Sequence, residues 1–253
     1  MKPVLRSISR ALEFLFYITL EIIACACALL LDARTRQPRA RAAWLQRVAA
    51  RCAQILHLRI QSCGSLPEKG LLVANHLSYI DIILIAAQRP CVFVSKMEVR
   101  GWPIFGCCAR FSGTIFVDQR RRVSVAAAAE QMRSALDHDL LVVLFPEGTS
   151  SGGASVLPFK SSLLEPALAL DCPVTAAAIG YTIDQGSMAD EICYWGDMIL
   201  LPHLLNVWSK PAIRAFLHCG QARPRRGNRK SLARELHQEV VALRASSLDC
   251  RVS

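Results

Sequence analysis

Leu71-Leu72-Val73-Ala74-Asn75-His76-Leu77-Ser78-Tyr79-Ile80-Asp81 passes from a continuous apolar run through a polar turn into the start of an amphipathic segment. Four apolar residues without alternation read as a strand buried on both faces, as a helix-covered parallel sheet requires. The same switch recurs along the chain. Leu71 to Asn75, Cys91 to Ser95, Thr114 to Val117, Leu140 to Phe145 and Val174 to Ile179 read as strands. Tyr79 to Gln88, Pro103 to Arg110, Val123 to His138, Lys160 to Leu170 and Arg229 to Ala245 read as helices. Such alternation predicts an α/β fold, with a largely parallel or mixed central sheet flanked by helices. At 253 residues the chain can build one large domain with a full core.

The N-terminus is of another kind. ALEFLFYITLEIIACACALLL, from Ala11 to Leu31, is long enough to cross a bilayer. Glu13, Tyr17 and Glu21 recur at four-residue spacing and make a polar stripe along one helical face. Lys2, Arg6 and Arg10 precede the segment and Arg34, Arg36, Arg39 and Arg41 follow it, so the flanks set no orientation. No small-residue cleavage site follows, which argues against a removable signal peptide. Trp44 to Leu58 reads as a second amphipathic helix. The expectation is a membrane-associated two-helix segment with a basic linker over residues 1–57, followed by a catalytic domain over 58–253. A single span and shallow insertion into one leaflet both fit.

Net charge is +10 and 53% of residues are apolar. A basic balance suits nucleic acid, anionic lipid or an acidic carrier protein. No reading motif and no interleaving of basic and aromatic residues point to nucleic acid, so the membrane surface is the expected partner. The eleven cysteines contain no CxxC pair. That pattern predicts free thiols in a reducing compartment rather than a disulfide framework or a zinc site, and so a cytoplasmic domain without a metal.

Ligands of open α/β sheets gather at the carboxyl ends of strands. Three stretches fall there: His76 with Asp81, Phe145-Pro146-Glu147-Gly148-Thr149-Ser150-Ser151, and Asp118-Gln119-Arg120-Arg121-Arg122. An imidazole held by a carboxylate can take a proton from an alcohol near neutral pH. Each stretch also has an ordinary reading: a helix-start histidine beside an exposed aspartate, a glycine turn, a solvated helix start. His138 between Asp137 and Asp139 is a rival dyad, but its place between an amphipathic helix and a strand reads as a surface turn. His203 after Pro202 reads as structural. A thioesterase or lipase needs an activated serine in a setting such as G-x-S-x-G, a spacing that Gly148-Thr149-Ser150-Ser151-Gly152 meets in letters, so the pattern by itself does not exclude that class.

Taken together, NHLSYID, GTIFVD, FPEGTSS and CPV resemble, in order and spacing, the sequence blocks of the lysophospholipid acyltransferases of the 1-acylglycerol-3-phosphate O-acyltransferase type. The resemblance covers roughly Leu71 to Val174, and YWGDMILLPHLLNVW at Tyr194 to Trp208 also looks like bacterial members. It implies transfer of a fatty acyl group from acyl-CoA or acyl-carrier protein to the free hydroxyl of a lysophospholipid, in phospholipid biosynthesis. The first expectation is 1-acyl-sn-glycerol 3-phosphate, giving phosphatidic acid, with a lyso-ornithine lipid as the alternative acceptor. A non-catalytic lipid-binding membrane protein is a remote alternative. His76 and Asp81 are then the catalytic residues, with Gly113, Phe116, Arg120, Glu147, Gly148 and Thr149 binding substrate. The oxyanion would be held by backbone N–H groups at the helix start or in the Gly148 loop. No cofactor beyond the donor substrate is implied.

The chain departs from the family pattern twice. Gln119 holds the usual arginine position of the second block, with Arg120 one place later, and Ser150 replaces the arginine that often follows Glu-Gly-Thr. Both changes weaken the case for a phosphate-bearing acceptor. Lys160 is a further candidate cation near the site. The cluster Arg223, Arg225, Arg226, Arg229 and Lys230 is a candidate dock for carrier protein or CoA phosphates. The expected location is the cytoplasmic face of the inner cell membrane, in contact with membrane lipids.

Overall fold

Two helices precede the sheet, α1 (Pro3–Leu31) and α2 (Pro38–Ile55). The computed structural model describes residues 2–31, 34, 37–118, 121–170 and 172–246. Strands and helices then alternate: β1 (Leu58–Cys63), β2 (Gly70–Ala74), α3 (Ile80–Ala86), β3 (Cys91–Lys96) and a short 3-10 segment at Met97–Gly101. These lead into α4 (Phe105–Ser112), β4 (Ile115–Val117), α5 (Arg122–Asp137), β5 (Leu141–Leu144), α6 (Ser161–Ala169) and β6 (Val174–Thr182). The last part adds α7 (Met188–Glu191), α8 (Leu200–Ser209), β7 (Ile213–Cys219) and α9 (Arg229–Ser246).

The strands form one sheet in the order β1-β7-β6-β2-β5-β3-β4. β6 and β7 pair antiparallel and the other neighbours pair parallel. The sheet is therefore mixed, and β6, β2, β5, β3 and β4 point their carboxyl ends to one edge. β2 is buried at every position because both faces are covered. Leu72 and Ala74 meet a core shared with α2, α3 and α8, whereas Leu71 and Val73 meet one shared with α5 and α9. The strand reading missed β1 and β7. β1 is an edge strand with one buried residue, Leu58, and Arg214 and His218 break the apolar run of β7. Neither carries a clear hydropathy period.

The 57/58 division coincides with the turn between α2 and β1, yet the core crosses it: Phe14, Ile18, Trp44 and Val48 belong to the same cluster as Leu72. Pro3–Ala28 is long and apolar enough to cross a membrane, with a mean hydropathy of 1.9. One face of it is docked on the protein. Buried Arg10 donates to the carbonyls of Trp208 and Lys210, and Phe14 packs against Trp208. The polar stripe is part of the same seam, with Glu13 bound to Arg51 and Glu21 to the Trp44 indole. The opposite face, including Val4, Ile8, Leu12, Phe16, Leu20 and Ile23, is exposed.

Asn75 marks the place where β2 departs from the ladder. Its side chain takes over the strand's pairing, donating to Ile179 O at 3.1 Å and accepting from Ile179 N at 2.7 Å. Asn75 is buried, so its loss would strand both backbone groups. Asn75→Ala is expected to lower the unfolding free energy by roughly 2–4 kcal/mol in a denaturant titration.

Candidate active site

β2 ends at Ala74 and α3 begins at Ile80, leaving His76 in the connecting turn at the carboxyl edge of the sheet. Asp81 lies in the first turn of α3 and is fully buried. Its Oδ2 accepts from His76 Nδ1 at 2.7 Å, Leu77 N at 2.7 Å and Ser78 N at 3.1 Å, and its Oδ1 accepts from the Tyr181 hydroxyl at 2.5 Å. A carboxylate that accepts from Nδ1 requires the proton there, which leaves Nε2 with its lone pair free to accept another. The imidazole stacks on Phe145, with ring centroids 4.3 Å apart, and Phe145 lies against Phe93. His76 and Phe145 lie just beyond the ends of β2 and β5, and Phe93 is on β3 between Cys91 and Lys96.

The turn is tied on both sides. Ser151 N donates to His76 O, and Tyr194 N donates to Leu77 O. Ser150 Oγ donates to the Tyr194 carbonyl. The position where relatives of this pattern often carry an arginine thus holds two loops together here.

Glu147 follows β5, and its Oε1 accepts from His76 N at 3.2 Å. Burial pushes its carboxyl up to about 7, opposed by the backbone donors of His76 and Leu157. Among the described residues, its buried Oε2 makes no hydrogen bond. Gly148 has φ +66°, a conformation that favours glycine, and a Cβ there would stand 2.8 Å from Lys160 Nζ, the movable end of that side chain. Lys160 therefore lies over the loop that carries Glu147. Gly148 N–H donates to Phe145 O, and the Leu77 and Ser78 N–H groups serve Asp81. These three backbone N–H groups are thus engaged within the site's own framework.

The other expected residues are dispersed. Thr149 is exposed in the loop after Glu147. Phe116 is on β4 at the same edge, with the Arg100 guanidinium 6.0 Å from its ring centroid. Gly113 is not brought to this edge: it caps α4 in the left-handed conformation, before β4 begins, and faces Arg41. Gln119 and Arg120 lie outside the described residues. Arg121 is exposed at the start of α5.

Sequence reasoning missed Lys96, Arg100 and Tyr181. Lys96 is the last residue of β3 and Arg100 follows it in the 3-10 segment, both exposed. The strand-exit rule that selected His76 would have selected Lys96. Three of the five residues of the basic C-terminal cluster form ion pairs: Arg223 and Arg225 with Glu235 and Glu239, and Arg229 with Glu165. His138 caps α5 and bonds to Ser134 O, and His203 bridges the Tyr79 hydroxyl and Cys193 O. Both are structural. Among the described residues, no three of His, Cys, Asp and Glu converge as metal ligands would.

The His76–Asp81 pair lies at the open edge of an α/β sheet, and among the described residues its ring nitrogens meet no serine hydroxyl and no cysteine thiol. The Acyltransferase family model matches residues 57–180. The chain is 34% identical to the lyso-ornithine lipid O-acyltransferase of Brucella abortus, over 78% of this chain and 79% of that protein. It is 28% identical to the 1-acyl-sn-glycerol-3-phosphate acyltransferase of Neisseria meningitidis, over 74% of this chain and 73% of that protein. The crystal structure of the 1-acyl-sn-glycerophosphate (LPA) acyltransferase PlsC of Thermotoga maritima superposes with a TM-score of 0.70, covering 99% of this chain and 98% of that one at 20% identity, and so shares the fold. The chain belongs to this acyltransferase family and is an acyltransferase.

The raised carboxyl of Glu147 has a consequence for stability. An unfolded chain gives up this proton near 4.5 and the folded chain near 7, so folding is disfavoured as pH climbs between these values. The penalty is absent at lower pH and complete above the folded value. Glu147→Gln should therefore gain stability relative to the parent on moving from pH 4.5 to pH 8, by on the order of 1–3 kcal/mol. Thermal melts of both proteins across that range read the difference.

Proposed function

We propose that the protein acylates the free hydroxyl of a lysolipid at the membrane surface, with His76 as general base and Asp81 orienting and stabilising its imidazolium. The observation that carries this is the 2.7 Å contact between His76 Nδ1 and a fully buried Asp81. Nε2 would take the proton as the acceptor oxygen attacks the thioester carbon, then return it to the leaving sulfur. No acyl-enzyme forms. Glu147, with one free buried oxygen, and Gly148 would line the acceptor pocket together with Phe116 and Thr149. The donor is an acyl-CoA or an acyl-carrier protein.

Among acceptors, a lyso-ornithine lipid is the preferred reading. The relative of that name is more similar to this chain than the one named for 1-acyl-sn-glycerol 3-phosphate. Ser150, engaged with the Tyr194 carbonyl, supplies no positive charge to a phosphate. Lys96, Arg100 and Lys160 favour the second reading, 1-acyl-sn-glycerol 3-phosphate, because they would place cations around the edge.

The membrane seat would be the exposed face of α1, extended by Ile199, Leu201 and Leu205 of the adjoining α8 segment. A helix fastened through Arg6, Ser7 and Arg10 to the carbonyls around α8 is suited to lying in one leaflet rather than crossing it. Free thiols at the cysteines among the described residues agree with the cytoplasmic face.

His76→Ala is expected to lower turnover at least ~100-fold with its melting temperature retained; near-normal turnover rejects the base. In detergent, with radiolabelled donor, a panel of acceptors should give the highest kcat/KM for lyso-ornithine lipid. A preference for 1-acyl-sn-glycerol 3-phosphate would establish the second reading instead.

A further inference from the structure

The mechanism above makes no use of a buried phenol on the far side of Asp81. Tyr181 is 1% exposed and donates to Asp81 Oδ1 at 2.5 Å. Its position follows from strand lengths. Ala74, the last residue of β2, pairs with Ala177, and β6 continues to Thr182. Tyr181 thus stands beyond the end of β2, level with the first turn of α3. Asn75 holds Ile179 by both backbone groups, two residues before Tyr181 on the same face, so the ring has little freedom. On its other side Tyr181 pairs with Ala215 of β7.

We propose that Tyr181 is a positioning residue for acyl transfer, its hydroxyl holding Asp81 Oδ1 so that Oδ2 stays aimed at His76 Nδ1. This rests on the reading of His76 as the base. The terminal torsion of an aspartate is broad, and the donors on Oδ2 all come from one turn, residues 76 to 78. A second anchor on Oδ1, from a different strand, fixes the carboxylate plane. The bond also draws charge from Asp81, so that imidazolium is stabilised while it forms but still releases its proton to the leaving sulfur. In that step the acceptor's C–O bond forms and the thioester C–S bond breaks. The proton passes from alcohol to Nε2 and then to sulfur, with no other reactant needed.

Burial and the neighbouring Asp81 hold the Tyr181 phenol well above its ordinary value, so it remains a donor throughout the working range. The other titratable groups around the pair are Tyr79 at the start of α3, Cys193 before α8, Glu147 after β5 and Arg244 of α9. Burial pushes the Cys193 thiol up to about 12. Glu147 titrates near neutrality, but it is bonded to the His76 amide rather than to the phenol.

The test compares full-length enzyme with Tyr181→Phe in detergent. The substitution removes one oxygen and keeps the ring. The expected result is a kcat lowered about tenfold, because Asp81 Oδ2 loses its fixed aim at His76 Nδ1. Both KM values should stay within twofold, and the acidic limb of the pH–kcat profile should move to higher pH. Placing 3-fluorotyrosine at 181 alone makes a stronger donor and should move that limb to lower pH. A folded Phe variant with unchanged kcat, or with lowered kcat and an unmoved limb, overturns the proposal. Should the Phe variant not fold, the fluorotyrosine enzyme decides alone: a limb that does not move overturns it. Full activity in His76→Ala would instead refute the base reading, whereas an inactive His76→Ala beside an unaffected Tyr181→Phe refutes only the role of the phenol.

Discussion

A carboxylate buried as completely as Asp81 has to be saturated with donors, because a naked charge in an apolar interior is far more unfavourable than the folding free energy can absorb. That requirement organises the site. Two donors are backbone N–H groups of the turn between β2 and α3, a third is the histidine ring and the fourth is a phenol from β6. Supplying them needs a sharp exit from β2, an early start to α3 and a β6 that lies next to β2 and outlasts it. The side chain of Asn75 makes the last condition hold, continuing the ladder after the backbone of β2 has turned away.

The second determinant is the loop after β5. It puts a carboxyl against the His76 amide, where burial raises Glu147 to about 7, and a lysine over a glycine in the left-handed conformation. The loop is closed from outside by the segment before α8 through Ser150 and Tyr194. Since α8 also carries α1, the helix with the largest exposed apolar face is mechanically continuous with the wall of the active site.

The fold was legible where burial on two faces imposes an unbroken apolar run. β2, β3, β5 and β6 were found within a few residues for this reason, and the long helices by their period. β1 and β7 were not, since an edge strand and one interrupted by Arg214 and His218 lack a period. His76, Asp81, Glu147 and Gly148 are short-range in sequence relative to strand ends, so the strand-exit rule placed them on one edge. Gly113 stands apart because its turn precedes β4 rather than following it, and the pairing of Arg223 and Arg225 was not legible because their acidic partners lie on α9.

The sequence by itself determined the alternation of strands and helices, the apolar N-terminal helix and the proximity of His76 to Asp81, because each is set by residues a few positions apart. Only the tertiary structure decided which oxygen of Asp81 faces the imidazole, that Phe145 stacks on it and that Tyr181, a hundred residues away in the chain, holds the other oxygen. The physical reason is that hydrogen bonds between strands depend on sheet order and on how far one strand outruns its neighbour. No local pattern of residue types encodes either quantity.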